Sequence, residues 1–254
     1  MCNKNGLCSA KTNFAQTDKV LVSGGAFSMG CSAWNDTFCD ANTLPRHVVY
    51  VSSYYLDTYE VSQAKYKACV AASKCSQPSG GYDATEDSKP IVKLTWAQAS
   101  GYCGWAGGDL PTEAQWEFAA RSIDKGVSTT IYPWGNNWPP PLLADIGNTG
   151  IASLGDPYPY AHDANVCYEK NAVGACNMLG NVSEWTRDWY TAYYPTNLTV
   201  KDPLNTTAAS QRAFRGMSWF FSLPAEAAPY RRFFYDPNVV YSNIGVRCAY
   251  AFTQ

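Results

Sequence analysis

Hydrophobic and polar positions in the first half of the chain follow two different periods. Runs rich in β-branched and aromatic residues at 20–22, 47–52 and 54–57 predict short strands, and the glycine-flanked run 24–30 predicts a turn followed by another strand. From about residue 62 the apolar positions return every three or four residues, which is the helical period. We therefore expect strands first and helices after them.

Three helices are predicted, each beginning at a residue that can cap its free backbone N–H groups. Ser62 and Thr95 are N-cap residues of the first two helices. Thr112 and Gln115 have the spacing of a capping box at the start of the third. The glycine pair at 107–108 ends the second helix, because glycine readily adopts the left-handed conformation found at helix C-termini.

Beyond Arg121 the chain is rich in Pro, Gly, Asn and Trp and offers only short strand candidates. No linker, repeat or low-complexity segment divides it. The prediction is one loop-rich α+β domain with few helices over residues 20–254, preceded by an N-terminal extension over residues 1–19.

Composition narrows the functional classes. The chain has 254 residues and a net charge of -2, so we do not expect it to bind nucleic acid. It contains no apolar run long enough to span a bilayer, so no transmembrane segment is expected. The 18 Tyr and 9 Trp suit a fold in which large rings hold irregular segments together.

The ten cysteines are an even number, and eight of them occur in close pairs. These pairs are Cys2/Cys8, Cys31/Cys39, Cys69/Cys75 and Cys167/Cys176. Zinc binding would need CxxC pairs with accompanying histidines, and the chain has only two histidines. Buried free thiols are the other alternative to disulfides. We expect disulfides, and therefore an oxidising compartment outside the cytosol.

The first residues contain no hydrophobic stretch typical of a signal peptide, so we expect any export signal to have been removed or left out. Cys2 has two interpretations. It could be the lipid-bearing first residue of a mature bacterial lipoprotein, or it could form a local disulfide with Cys8, which we favour.

Several segments, in order and spacing, resemble the formylglycine-generating enzyme (sulfatase-modifying factor) family. The strongest is Asn-Ala-Val-Gly at 171–174, which leads into Asn-Met-Leu-Gly-Asn-Val-Ser-Glu-Trp at 177–185. Others lie at 27–30, 45–48, 56–61, 102–107, 110–117, 132–135, 215–221 and 243–248. The resemblance implies a variant of the C-type lectin fold, and it implies a structural disulfide between Cys103 and Cys248.

The resemblance also indicates a lost reaction. In catalytic members of that family, redox-active cysteines stand three and eight residues after the serine that matches Ser218, and here those positions hold Phe221 and Glu226. Neither side chain can replace a thiolate that binds copper and is oxidised. We therefore expect no copper and no enzymatic activity, and no other catalytic set is visible. A divergent oxidoreductase of the same type remains an alternative.

Calcium is the expected cofactor. Asn177 and Glu184 can supply side-chain oxygens, and Gly180 and Val182 can supply carbonyl oxygens, which suits a hard cation. The resemblance implies that these four are calcium ligands; the alternative is that Asn177 and Glu184 only brace the turn. It places a second calcium site at Asp145, Ile146, Asp156 and Tyr158, although a surface aspartate without such a role is equally compatible with that segment.

The C-terminal region is the candidate ligand-binding face. Its residues are Phe220, Phe221, Ser222, Tyr230, Phe233, Phe234, Tyr235, Asp236, Val239, Val240, Tyr241 and Asn243. Tyr, Phe, Ser and Asn combine large contact areas with adaptable hydrogen bonds, as in antibody paratopes. Some of these rings must be core, but consecutive aromatic residues cannot all be buried on one side of a strand.

These observations favour a non-catalytic, calcium-containing protein of the cell surface or extracellular space. Its partner would be a protein or a glycan on another cell or surface. The region around 220–243 also resembles the variable segment of proteins diversified by diversity-generating retroelements. The main alternative is a structural subunit that self-assembles into a surface layer or filament.

Overall fold

The computed structural model describes residues 19–31, 39–82, 87–121, 132–133, 167, 170–194, 201–220 and 228–253. Its strands are β1 (Lys19–Val22), β2 (Gly25–Met29), β3 (His47–Val51), β4 (Tyr54–Asp57), β5 (Ser183–Trp189), β6 (Arg212–Arg215), β7 (Phe233–Tyr235), β8 (Ile244–Gly245) and β9 (Ala249–Ala251). Its α-helices are α1 (Gln63–Ala71), α2 (Trp96–Trp105) and α3 (Glu113–Ala120). Short elements separated by long connections confirm the predicted loop-rich α+β class.

The described strands form three small sheets. Strands β1, β4 and β9 make an antiparallel sheet with β4 in the middle, and β2 pairs with β3 as an antiparallel pair. The third sheet has the order β7-β6-β5-β8, in which the β5–β8 pair is parallel and the others are antiparallel. Strand β7 is therefore an edge of the largest sheet.

All three predicted helices form at their predicted caps. The Ser62 hydroxyl accepts a backbone N–H in the first turn of α1. Thr95 with Gln98, and Thr112 with Gln115, form complete capping boxes at α2 and α3. None of these helices, within the part of the chain that the structure describes, is long and apolar enough to cross a membrane.

The expectation of only short strands after Arg121 is wrong at β5, which has seven residues. Five of these seven are buried, so the strand lacks the polar–apolar alternation of a half-exposed strand. Two of its buried polar side chains have hydrogen-bond partners in other parts of the fold: the Thr186 hydroxyl donates to the Ala213 carbonyl, and the Asp188 carboxylate accepts two backbone N–H groups. Among the described residues, the buried Ser183 hydroxyl and the Trp185 indole N–H have no such partner. Tertiary hydrogen bonds, which the local pattern does not show, permit this burial.

Two hydrophobic clusters fill the interior. The first surrounds Trp116 and Phe118 of α3, which packs against β2, β3, β5 and β6. The second lies between α1, α2 and the largest sheet and contains Tyr66, Trp185 and Phe214. Phe214 of β6 belongs to this second cluster, and Phe233 of β7 packs against it.

Four disulfides connect described residues, and they match the predicted pairs: Cys31–Cys39, Cys69–Cys75, Cys167–Cys176 and Cys103–Cys248. Cys2 and Cys8 lie outside the described residues. The Cys103–Cys248 bridge spans 145 positions and joins α2 to the segment before β9.

Candidate functional site

Exposed aromatic rings lie on β7, in the loop after it and in the segment that follows β6. Phe234 and Tyr235 of β7 are 37% and 40% exposed, and Phe220 is 67% exposed. Val239 is also exposed, and Tyr241 is half-buried. These five residues are called the aromatic surface below. Consecutive residues 234 and 235 point to opposite faces of β7, and their exposure shows that neither face is fully covered there.

Stacking holds the aromatic surface in place. The ring centroids of Tyr235 and Tyr241 are 4.1 Å apart with an angle of 14° between the planes. Phe234 stacks on Tyr190 at 4.0 Å, and Tyr235 stacks on the buried Phe214 at 5.1 Å. These stacking contacts restrict the orientations of the rings, so the rings would lose little conformational freedom in any further contact.

Polar groups border the rings. An oxygen of the exposed Asp236 accepts the backbone N–H and the side-chain N–H of Asn238. The Asn243 amide donates to the Ser218 hydroxyl at 3.1 Å, beside Phe220. Asp236 and Asn238 are exposed, Asn243 is half-buried and Ser218 is buried, so the exposed hydrogen-bonding groups next to the rings are those of Asp236 and Asn238.

A cation between two indoles supports the loop after β7. The Arg212 guanidinium lies 3.6 Å from the ring centroids of both Trp96 and Trp189. The Trp96 indole donates to the Thr186 carbonyl, and its backbone N–H donates to the Pro237 carbonyl at 2.9 Å. Burial lowers the pKa of Arg212 to about 10, so the cation persists at neutral pH. Sequence reasoning missed this support, because three residues distant in sequence build it.

Not every predicted surface residue is exposed. Tyr230 is only 2% exposed, packs with Cys31 and has the Arg121 guanidinium 5.3 Å from its ring. The prediction that it faces a ligand is therefore corrected: it is core. Phe233, Val240 and Asn243 are half-buried and Asp236 is exposed. Phe221, Ser222 and Glu226 lie outside the described residues.

The segment predicted to bind calcium forms a tight buried turn. Asn177 and Asn181 have φ values of 57° and 55°, and Gly180 has a φ of 101°, which glycine adopts without strain. Arg247 touches both ends of the turn: its Nε donates to Glu184 at 2.9 Å, and an Nη lies 3.5 Å from the Asn177 carbonyl oxygen.

Two buried carboxylates share that arginine. Glu184 accepts the Trp116 indole N–H at 2.6 Å, while Glu60 accepts the Asn181 amide at 2.9 Å and lies 3.8 Å from Arg247. Burial raises the pKa of Glu60, Arg247 lowers it and the charge of Glu184 raises it, and the net result is a pKa of about 7. With both carboxylates ionised, this group carries excess negative charge. Sequence reasoning missed Glu60 and Arg247 as members, although both lie in family-like segments.

The turn has features that fit a hard cation. Within the described residues, the buried Oδ1 atom of Asn181 has no hydrogen-bond partner. The same residues contain no group of three or more His, Cys, Asp or Glu side chains suited to a metal, so amide and carbonyl oxygens would have to contribute. The predicted second site, at Asp145, Ile146, Asp156 and Tyr158, lies outside the described residues.

A separate ion network joins α3 to β6. Arg215 donates to Glu113 at 2.8 Å and to Glu117 at 3.1 Å, and Arg232 binds both oxygens of Glu113. Burial alone would raise the pKa of Glu113, but Arg232 and Arg215 hold it at about 2. Asp188 faces two backbone N–H groups, and burial followed by the charge of Glu113 raises its pKa to about 7.

Comparison with known proteins agrees with this architecture. The family described as "Sulfatase-modifying factor enzyme 1-like domain" matches residues 4–252. The formylglycine-generating enzyme of Mus musculus is 27% identical over 299 residues, covering 97% of the chain and 78% of the relative. The inactive C-alpha-formylglycine-generating enzyme 2 of Mus musculus is 30% identical over 173 residues; the match covers 63% of the chain and 48% of that relative's length.

Solved structures show the same fold. PvdO from Pseudomonas aeruginosa superposes with a TM-score of 0.73 at 21% identity, covering 91% of this chain and 93% of the other. Treponema denticola variable protein 1 superposes with a TM-score of 0.64 at 20% identity, covering 91% and 94%. The fold is thus the formylglycine-generating-enzyme-like variant of the C-type lectin fold, and the chain belongs to the sulfatase-modifying factor enzyme 1-like domain family.

Proposed function

We propose that this protein is a non-catalytic binder that uses the aromatic surface to hold a protein or glycan on another cell or surface. The observation that carries the proposal is the group of ordered rings at the edge strand β7, where the exposed Tyr235 stacks on the half-buried Tyr241 with ring centroids 4.1 Å apart. The residues that contribute most of the binding energy in protein interfaces are often ordered aromatic side chains surrounded by polar groups.

The non-catalytic part rests on the substitutions at the reactive positions. Phe221 and Glu226 stand where catalytic members carry cysteines. Neither a phenyl ring nor a carboxylate can act as the oxidisable thiolate that the reaction needs. A mouse relative is itself named an inactive formylglycine-generating enzyme, so the scaffold is compatible with loss of the reaction.

The location follows from the cysteines. Four disulfides among the described residues indicate an oxidising, non-cytosolic compartment. We extend this to display at the cell surface or release from the cell, where a binding face would meet its partner.

The binding proposal is tested by screening the purified protein against a glycan array and a panel of extracellular proteins. Phe234→Ala and Tyr235→Ala should each weaken binding of any partner found by at least tenfold. Tyr193→Ala is the matched control, since Tyr193 is 62% exposed but lies outside the aromatic surface. Partner binding that survives both β7 substitutions would contradict the proposal, as would copper-dependent oxidation of a cysteine peptide.

Self-assembly is the outcome that would indicate a structural subunit instead. Analytical ultracentrifugation should show a monomer across a hundredfold range of concentration. Growth of oligomers that Tyr235→Ala abolishes would mean that the occupant of the aromatic surface is a second copy.

The proposal includes diversification of this face by a retroelement. Sequences of sibling proteins should differ within positions 220–243 and agree in the flanking segments. Variation spread evenly along the chain would rule this part out.

We also propose a structural calcium at the 177–184 turn. The side chains of Asn177 and Glu184 and the carbonyls of Gly180 and Val182 would hold the ion, whose charge would offset the excess negative charge of Glu184 and Glu60. No copper is expected. Chelation should lower the melting temperature and added calcium should restore it. An unchanged melting temperature in excess chelator, with no metal in elemental analysis, would refute the calcium site.

A further inference from the structure

A cavity of about 140 Å³ lies between α1, α2 and the β1-β4-β9 sheet. None of its lining residues belongs to the aromatic surface or to the 177–184 turn. The binding face and the calcium site proposed above therefore leave it unused.

Aromatic rings form the apolar wall of this cavity. Tyr102 and Trp105 are neighbours on α2, with ring centroids 5.8 Å apart. Tyr102 in turn stacks on the buried Tyr66 at 5.6 Å, which fixes its orientation. The ring of Tyr250, on β9, lines the cavity as well. The planes of Tyr102 and Trp105 are tilted by 54° to each other, and together with Tyr250 these rings give the cavity an aromatic wall that favours an apolar ring as guest.

The polar wall carries a surplus of positive charge. Lys19 and Lys65 both line the cavity, and the Lys19 ammonium lies 3.2 Å from the centroid of the Tyr250 ring. The only carboxylate lining the cavity, among the described residues, is that of Asp57, and it is already engaged. It accepts the Cys248 backbone N–H and the Tyr250 hydroxyl, each at 3.0 Å.

The positive charge of Lys19 is disfavoured in this cavity. Burial lowers the pKa of Lys19; Asp57 opposes this effect, and Lys65 adds to it by repulsion. An anion placed between the two ammonium groups would relieve that repulsion, so electrostatics here favours an anionic guest.

The volume sets the size of the guest. A protein cavity of roughly 150 Å³ accommodates one benzene molecule. We propose that this cavity binds a small planar anion, a single aromatic ring that carries a carboxylate, with the ring against Tyr102 and Trp105 and the carboxylate at Lys19 and Lys65.

Two other cavities suit this guest less well. A larger cleft of about 570 Å³ contains Asp109 and Arg187, whose charges already pair at 3.1 Å. A third, of about 20 Å³ beside Arg232, has no room for more than a water molecule.

The test uses benzoate, its neutral analogue benzamide and inorganic phosphate in isothermal titration at pH 7. Benzoate should bind saturably. Benzamide and phosphate should each bind at least tenfold more weakly, because benzamide lacks the negative charge and phosphate lacks the aromatic ring. Lys19→Met and Lys65→Met should each weaken benzoate binding at least fivefold. Lys201→Met is the matched control, since that ammonium lies 6.0 Å from the ring of Tyr50, outside the cavity.

Melting temperatures establish that each variant is folded. Lys19 begins β1, so where Lys19→Met loses the fold, Lys65→Met on helix α1 decides the test. The proposal is overturned if benzoate shows no saturable binding, if benzamide or phosphate binds as tightly, or if Lys65→Met binds benzoate like the unchanged protein.

Discussion

Buried ionised side chains organise the interior of this protein. Arg215, Arg232 and Arg247 are almost fully buried, and each donates to at least one carboxylate. Removing one partner of such a pair leaves an uncompensated charge, which typically costs about 3–5 kcal/mol. Among the described residues, Asp188 differs from the other buried carboxylates in that only backbone N–H groups donate to it.

The titration of Asp188 predicts a dependence of stability on pH. Its pKa is about 7 in the folded protein against the usual 3.8, so the folded state holds the proton more tightly than the unfolded chain does. The resulting stabilisation is complete below about pH 4 and is lost as the pH rises through 7. In urea titrations, Asp188→Asn should reduce this fall in unfolding free energy by roughly 2–4 kcal/mol.

Asp236→Asn, which alters an exposed carboxylate, is the control for that series. If the unchanged protein and Asp188→Asn lose stability equally between pH 4 and 7, the assignment to Asp188 fails.

At the scale of elements, the sequence predicted the helix starts, which depend on residues close together in the chain. The helix starts at Ser62, Thr95 and Thr112 could be predicted because capping requires particular side chains at particular spacings. Strand β5 was missed because its polar residues are buried by partners distant in sequence. Tyr230 was misplaced for the same reason: its packing partner Cys31 is almost two hundred positions away.

The capping box of α3 gives a prediction at this scale. Thr112→Ala removes the hydroxyl that accepts the Gln115 backbone N–H, and it should lower the unfolding free energy by about 1 kcal/mol. Thr112→Ser keeps the hydroxyl and should lose much less. Equal urea midpoints for the Ala and Ser variants would show that the cap does not stabilise the helix.

At the scale of the whole molecule, covalent bridges stabilise a fold that has few long elements. Three of the four described disulfides close loops of six to nine positions, whereas Cys103–Cys248 spans 145. The short pairs could be predicted from their spacing. The distant pair required the family resemblance, because spacing alone does not identify partners so far apart.

This difference in loop length predicts a difference in stability. Replacing Cys103 and Cys248 together by serine should lower the unfolding free energy by about 5 kcal/mol, since the closed loop is long. Replacing Cys69 and Cys75, which are separated by only six positions, should cost about 2 kcal/mol. Guanidinium unfolding without reductant measures both. A local pair that costs as much as the distant pair would contradict the loop-length argument.

The Arg212 guanidinium between Trp96 and Trp189 should make the intrinsic tryptophan fluorescence of the protein sensitive to binding. Indole emission responds to nearby charge, and Trp96 is hydrogen-bonded through its backbone to Pro237, in the loop that carries part of the aromatic surface. We expect a partner that binds this loop to change the distance between the Arg212 guanidinium and the indole rings of Trp96 and Trp189. Intrinsic fluorescence should therefore change colour or intensity on binding, so that a partner can be titrated without attaching any dye.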